Sequence, residues 1–170
     1  MGVVGPLDAY AAAFLAVLLI VSAAHKALDR RRMAGSVDAL LGVGGGLAGV
    51  ALGCAALAEL AAGVALILPT TRLIGAVAAA VIWSAYLRLI LRAVDEGRAD
   101  IDCGCTFGRR SAPLGMFDAA RNLTLVALAA GTAAGAAHAP MVGATEVLAG
   151  LGLFTLYMAL EQVSSQARWA

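Results

Sequence analysis

Five apolar runs of roughly twenty residues each, over residues 7–28, 47–68, 73–93, 117–137 and 142–162, leave this chain few places to fold other than a lipid bilayer. Within hydrocarbon every backbone N–H and C=O must find a partner inside the protein, and a helix supplies one for each residue of such a run. Composition agrees: 62% of the 170 residues are hydrophobic and 14% charged, against about a quarter charged in an ordinary soluble domain. The predicted fold class is all-α, an integral membrane helical bundle in one domain (residues 1–170). No nucleotide-binding loop, metal-protease helix or nucleic-acid surface is legible, so the expected partner is the bilayer and no nucleic acid.

The start, Met1 to Pro6, has no Lys or Arg, so the first run reads as a retained helix and not a cleaved signal. It closes on Asp29-Arg30-Arg31-Arg32, and a short, Gly-rich, partly helical stretch over 36–46 leads to the second run. Alternating spans place Lys26, Arg30, Arg31, Arg32, Arg88, Arg92, Arg98, Arg109, Arg110, Arg121 and Arg168 toward one side, and Arg72 alone on the other. The positive-inside rule then predicts a multi-pass protein of the cell inner or plasma membrane, N-terminus outside and C-terminus cytoplasmic.

The well-charged connection, residues 95–116, holds Cys103-Gly104-Cys105 between Asp100, Asp102 and Arg109-Arg110, and this orientation makes it cytoplasmic. Two cysteines one residue apart can close only a small, strained disulfide, the kind that exchanges readily. The nearby arginines favour the thiolate and the aspartates oppose it. Two other readings stand beside exchange: loop cysteines with no chemical role, or two thiolates holding copper or zinc with His25. With no second Cys or His pair at ligand spacing, no bound metal is predicted.

Glu59 falls near the middle of the second run, where an ionisable side chain must be paired, neutral or turned inward. His25 or Arg88 is its expected partner. His25, Lys26, Glu59, Arg88, Arg121 and Asn122 together form a candidate polar pocket, the alternative being that Lys26, Arg88 and Arg121 each snorkel to headgroups. Cys54 reads as a packing residue, or as a resolving thiol if the loop folds back into the bundle. Trp83 and Tyr86 read as interfacial anchors.

His25-Lys26 closing the first helix, Glu59-Leu60-Ala61-Ala62-Gly63 in the second, Cys103-Gly104-Cys105-Thr106-Phe107-Gly108 and Ala120-Arg121-Asn122-Leu123 together resemble the MauE family of methylamine-utilisation membrane proteins, relatives of the DoxX group. The resemblance implies a DoxX-like four-helix core with a fifth transmembrane helix. It also implies a part in methylamine metabolism, supporting the export of, or disulfide formation in, the methylamine dehydrogenase small subunit. The family's cysteine pair falls on Cys103 and Cys105 and its Arg-Asn pair on Arg121 and Asn122.

The function expected is thus maturation of a partner protein, thioredoxin-like or exported and disulfide-rich, through thiol–disulfide exchange at Cys103 and Cys105. A quinone is a candidate electron exchanger. Two alternatives remain: a non-catalytic assembly subunit packing through Ala/Gly-rich helices, and a carrier of a metal or small solute.

Overall fold

The computed structural model describes residues 4–98, 115–136 and 140–167, and Cys103 and Cys105 lie outside them. Six helices follow one another: α1 Val4–Leu28, α2 Arg30–Leu41, α3 Gly45–Ile67, α4 Arg72–Asp95, α5 Met116–Gly135 and α6 Ala144–Ala167. Among the described residues there is no strand.

Helix α1 is the spine. It packs against every other helix, most extensively α3 and α6, and Ala12, Ala13, Leu15, Ala16, Leu18 and Leu19 on it are buried. A helix apolar around its whole circumference is one enclosed by others. Small residues permit the close approach that packing within a membrane requires. A Cβ at Gly75 would stand 2.7 Å from the Leu66 amide nitrogen of α3, and one at Gly150 would stand 2.9 Å from the Ala13 carbonyl carbon. The α3–α4 turn caps itself: Thr71 Oγ1 donates to Ala65 O at 2.9 Å and Arg72 Nε to Leu66 O at 3.2 Å, occupying carbonyls that the end of α3 leaves open.

The segment after the first span, expected to be partly helical over 36–46, is a full helix, α2, that begins at Arg30. Met33, Val37, Leu40 and Leu41 recur at helical spacing, so this segment has an apolar face for α3, with Met33 and Ser36 buried. It ends at Gly42, whose φ of 65° is left-handed; its N–H donates to Asp38 O at 2.7 Å, and Asp38 Oδ1 accepts from Gly44 N at 2.8 Å. Beside the same turn Arg98 Nη1 donates to Ala39 O at 2.8 Å, strapping α2 to the end of α4.

Four helices are long and apolar enough to cross a membrane: Leu7–Leu28, Gly46–Ile67, Arg72–Asp95 and Ala144–Ser164. Helix α5, expected as a span over 117–137, is not among them. Its 20 residues reach about 30 Å, but Asp118, Arg121 and Asn122 lower its apolar content. Those polar groups, with Thr132, turn inward against α1 and α4. Leu57, Leu60 and Val64 of α3, Ile74 and Val81 of α4, and Leu148 and Leu156 of α6 are exposed, the outward apolar belt of a bilayer protein.

Candidate functional site

Charged side chains from four helices meet at one depth. Ser22 and Lys26 are four residues apart on α1 and share a face. Opposite them Glu59, 1% exposed, accepts from Lys26 Nζ at 2.9 Å on both carboxylate oxygens. Its Oε1 also accepts from Tyr86 OH at 2.6 Å and from Ser22 Oγ at 3.2 Å. Lys26 Nζ donates to Ser22 Oγ at 2.7 Å and stands 5.4 Å from the centre of the Tyr86 ring. The carboxylate is therefore both neutralised and fully hydrogen-bonded, the condition for an ion pair to persist in a bundle interior.

At the same level Arg121 of α5 pairs with Glu161 of α6 and has Asp118 Oδ1 at 3.9 Å. Asp118 also opens α5: its Oδ2 accepts from the Gly115 amide at 3.1 Å, while Asn122 Nδ2 donates to Asp118 O at 2.8 Å. Between the two groups lies a cavity of about 40 Å³, lined among others by Ser22, Lys26, Trp83, Tyr86, Arg121 and Asn122. That is room for one or a few waters, which need about 10–15 Å³ each.

A second hollow adjoins the first. It measures about 130 Å³, opens on one side, and is walled by Met33, Val37, Leu40, Leu41, Ala51, Leu52, Ala55, Leu89 and Ile90, with Lys26 and Tyr86 as its polar end. Lys26 and Tyr86 line both hollows and so form the partition between them, held in place by their hydrogen bonds to Glu59.

Of the six residues expected in one pocket, the structure brings Lys26, Glu59, Arg121 and Asn122 to this layer. Two others are elsewhere. Arg88 is exposed on α4 beside Ser84 and Arg92, because two helical residues on from Tyr86 is about 200° around the axis. His25 Nε2 lies 3.3 Å from Arg32 Nη2 of α2, and Arg32 Nε is 2.6 Å from Asp29. The partner of Glu59 is thus Lys26, and neither His25 nor Arg88. Lys26 does not snorkel, Tyr86 is a ligand of the carboxylate and Trp83 is buried in the core. Cys54, read as a packing residue, is exposed on α3.

Tyr86, Ser22, Asp118 and Glu161 complete the layer without having been assigned to it from sequence. The signal that could have found Ser22 was spacing: Ser22 to Lys26 is one helical repeat. Glu161 carried none. Arg72 is a separate case, fully buried at the opposite end with Nη1 and Nη2 unpartnered among the described residues. Among the described residues no three His, Cys, Asp or Glu side chains gather as metal ligands.

An all-helical, lipid-facing bundle with a neutralised ionic layer across its interior defines a multi-pass membrane protein whose polar residues are directed inward. The family model described as methylamine utilisation protein MauE matches residues 5–137, and the chain belongs to that family. The match ends before α6, so Glu161 is supplied from beyond it. No curated protein and no solved structure matches the chain.

Proposed function

We propose that this MauE family member supports maturation of a partner protein by thiol–disulfide exchange at Cys103 and Cys105, with the Lys26–Glu59–Tyr86 network handling the protons that exchange releases. The partner fitting the family's methylamine-utilisation context is the small, disulfide-rich subunit of methylamine dehydrogenase, or a thioredoxin-like protein acting on it. The observation that carries this reading is the position of the ionic layer. Asp118, Arg121 and Asn122 stand in the first two turns after Gly115, where the chain emerges from the connection bearing both cysteines.

In this mechanism a thiolate of the pair attacks a partner disulfide, or the oxidised pair is attacked by a partner thiolate, through a mixed disulfide. Replacing the resolving cysteine by Ser should leave the attacking one in a mixed disulfide that cannot resolve, and replacing the attacking cysteine should abolish that adduct. Non-reducing electrophoresis of Cys103→Ser and Cys105→Ser chains reads it directly. Full-strength adducts in both, or adducts in neither, overturn the reading.

Orientation is part of the proposal. Lys26 and Arg121 are matched by Glu59 and Glu161 inside the bundle and Arg72 is buried, so these three weigh little in a count of loop charges. Among the described residues Arg30, Arg31, Arg32, Arg88, Arg92 and Arg98 remain, all toward the α2 end. The positive-inside rule makes that end cytoplasmic, with the N-terminus outside. Labelling of Cys103 and Cys105 in intact cells by a membrane-impermeant thiol reagent, in a Cys54→Ser background, would reverse it.

A second reading, a non-catalytic assembly subunit, is favoured by α3. A Cβ added at Gly46, Gly49 or Gly53 would meet nothing within 4 Å, so another helix could approach there closely. Unchanged partner maturation in a Cys103→Ser, Cys105→Ser chain would favour it.

A further inference from the structure

We infer that the hollow between α2, α3 and α4 binds the ring of a lipophilic quinone, with Lys26 and Tyr86 at its oxygen-bearing edge and Glu59 behind them. This deepens the exchange reading and rests on it for the direction of electron flow, although ring binding itself does not.

Size comes first. At about 130 Å³ the hollow is close to the engineered apolar cavity of about 150 Å³ that takes a benzene ring, so it accepts one six-membered ring and little more. Its walls are nine apolar side chains from three helices, and its open side lets a hydrocarbon tail leave between them. A few convergent polar groups at the end of an apolar pocket are what orient a bound ligand. Here they are an ammonium and a phenol hydroxyl, with a carboxylate immediately behind.

The chemistry of that end selects the occupant. An acyl chain would set its methyl end against an ion pair, which gains nothing from it. A quinone offers a carbonyl oxygen that can accept from the Lys26 ammonium, and its reduced form offers an O–H that can donate to the Tyr86 hydroxyl oxygen, whose own proton goes to Glu59. Lys26 and Glu59 cancel in charge, which suits a ligand that is neutral in both redox states.

The reaction balances. Two thiols and one quinone give one disulfide and one quinol: two S–H bonds break, one S–S bond forms, and two electrons with two protons reach the ring oxygens. Lys26 and Tyr86 line both the ring site and the polar cavity that Arg121 and Asn122 also line, and both are hydrogen-bonded to Glu59, so a proton can pass from one hollow to the other through these two side chains with Glu59 as the acceptor behind them.

The test uses the purified full chain in detergent and a short-chain benzoquinone carrying an azido group. Photolabelling should fall on peptides containing residues 33–41, 51–55 or 86–90. Ala55→Phe from α3 and, independently, Val37→Trp from α2 should each weaken binding roughly tenfold or more by filling the hollow. Both variants are checked for monodispersity and helicity, so a misfolded one is set aside and the other decides. A Cys103→Ser, Cys105→Ser chain should bind the quinone normally. Label elsewhere, binding unchanged in a folded filled variant, or a copurifying phospholipid that the quinone cannot displace overturns the proposal. Normal binding at the hollow with no quinol formed by the reduced wild-type chain would instead remove the exchange reading and leave the ring site standing.

Discussion

Lys26→Met isolates what the ionic layer contributes to stability. The substitution keeps the length and apolar stem of the side chain and removes the ammonium, leaving Glu59 buried with the neutral donors Ser22 and Tyr86. Breaking a buried pair by removing one partner costs about 3–5 kcal/mol. Glu59→Leu strands the ammonium instead. Because Lys26 is less completely enclosed than Glu59, the lower end of the same range, about 3 kcal/mol, is expected. If the two acted independently the double variant would lose about 6–8 kcal/mol.

The structure says otherwise. In Lys26→Met, Glu59→Leu no charge is left at this point, and the main residual cost is the Tyr86 hydroxyl deprived of the acceptor it held at 2.6 Å, about 1–3 kcal/mol. Ser22 can return its hydroxyl to a carbonyl one turn back on its own helix. Adding Tyr86→Phe should recover most of that remainder. The expected order of stability is therefore wild type close to the triple variant, then the double, then either single. SDS-induced unfolding in mixed micelles, followed by the fluorescence of buried Trp83, measures it. Single losses that simply add in the double variant would refute the claim that these residues form one electrostatic unit.

The remaining expectations test separate parts of the structure. Gly75→Ala should lower the thermal midpoint, since its Cβ would meet α3 backbone at 2.7 Å and relief of such overpacking costs about 1–3 kcal/mol, whereas Gly53→Ala, in open space, should be neutral or raise stability by about 0.5–1 kcal/mol. Gly42→Ala should cost about 1–2 kcal/mol, because φ there is 65°; faster amide exchange at the start of α3 would report the loosened hairpin. Hydrogen bonds from Arg92 and Arg98 hold the Glu96 carboxyl below its usual range. The contacts Glu96 makes are then present at neutral pH and lost only as pH falls through that lowered value, so amide protection around Ala39 should not change between pH 7 and pH 5. Arg121→Met should destabilise about as much as Lys26→Met by unfolding in mixed micelles, because Glu161 loses its pair.

The long helices were legible because hydrophobicity alone fixes them: the boundaries of α3 and α4 fall within two residues of the apolar runs. Helix α2 was legible only in part, because its apolar residues are spaced among Arg30, Arg31 and Asp38, and a run-based reading sees mainly a charged connection with glycines. The need for a partner to Glu59 was legible, and which partner was not. His25 and Lys26 are neighbours in sequence but about 100° apart around α1, and only the rotation of α1 against α3 decides which one faces the carboxylate. The same holds for Tyr86 and Arg88. A charged side chain invites assignment to a site before a tyrosine does, yet helical phase put the tyrosine inside and the arginine outside.

An apolar replacement of Lys26, Glu59 and Tyr86 is expected to leave the bundle folded, so packing alone gives no reason for these three residues to be there. Their use has to be sought in what they separate. On one side lies an apolar hollow of ring size, on the other a cavity fit for water and lined by Arg121 and Asn122. Protons can cross such a wall by way of Lys26 and Tyr86, which line both sides and share the Glu59 carboxylate, while an apolar electron carrier held on one side cannot. A triple variant that folds normally but no longer turns quinone over with the cysteine pair would tie the wall to that task; one that folds and works normally would leave the ionic layer without a function.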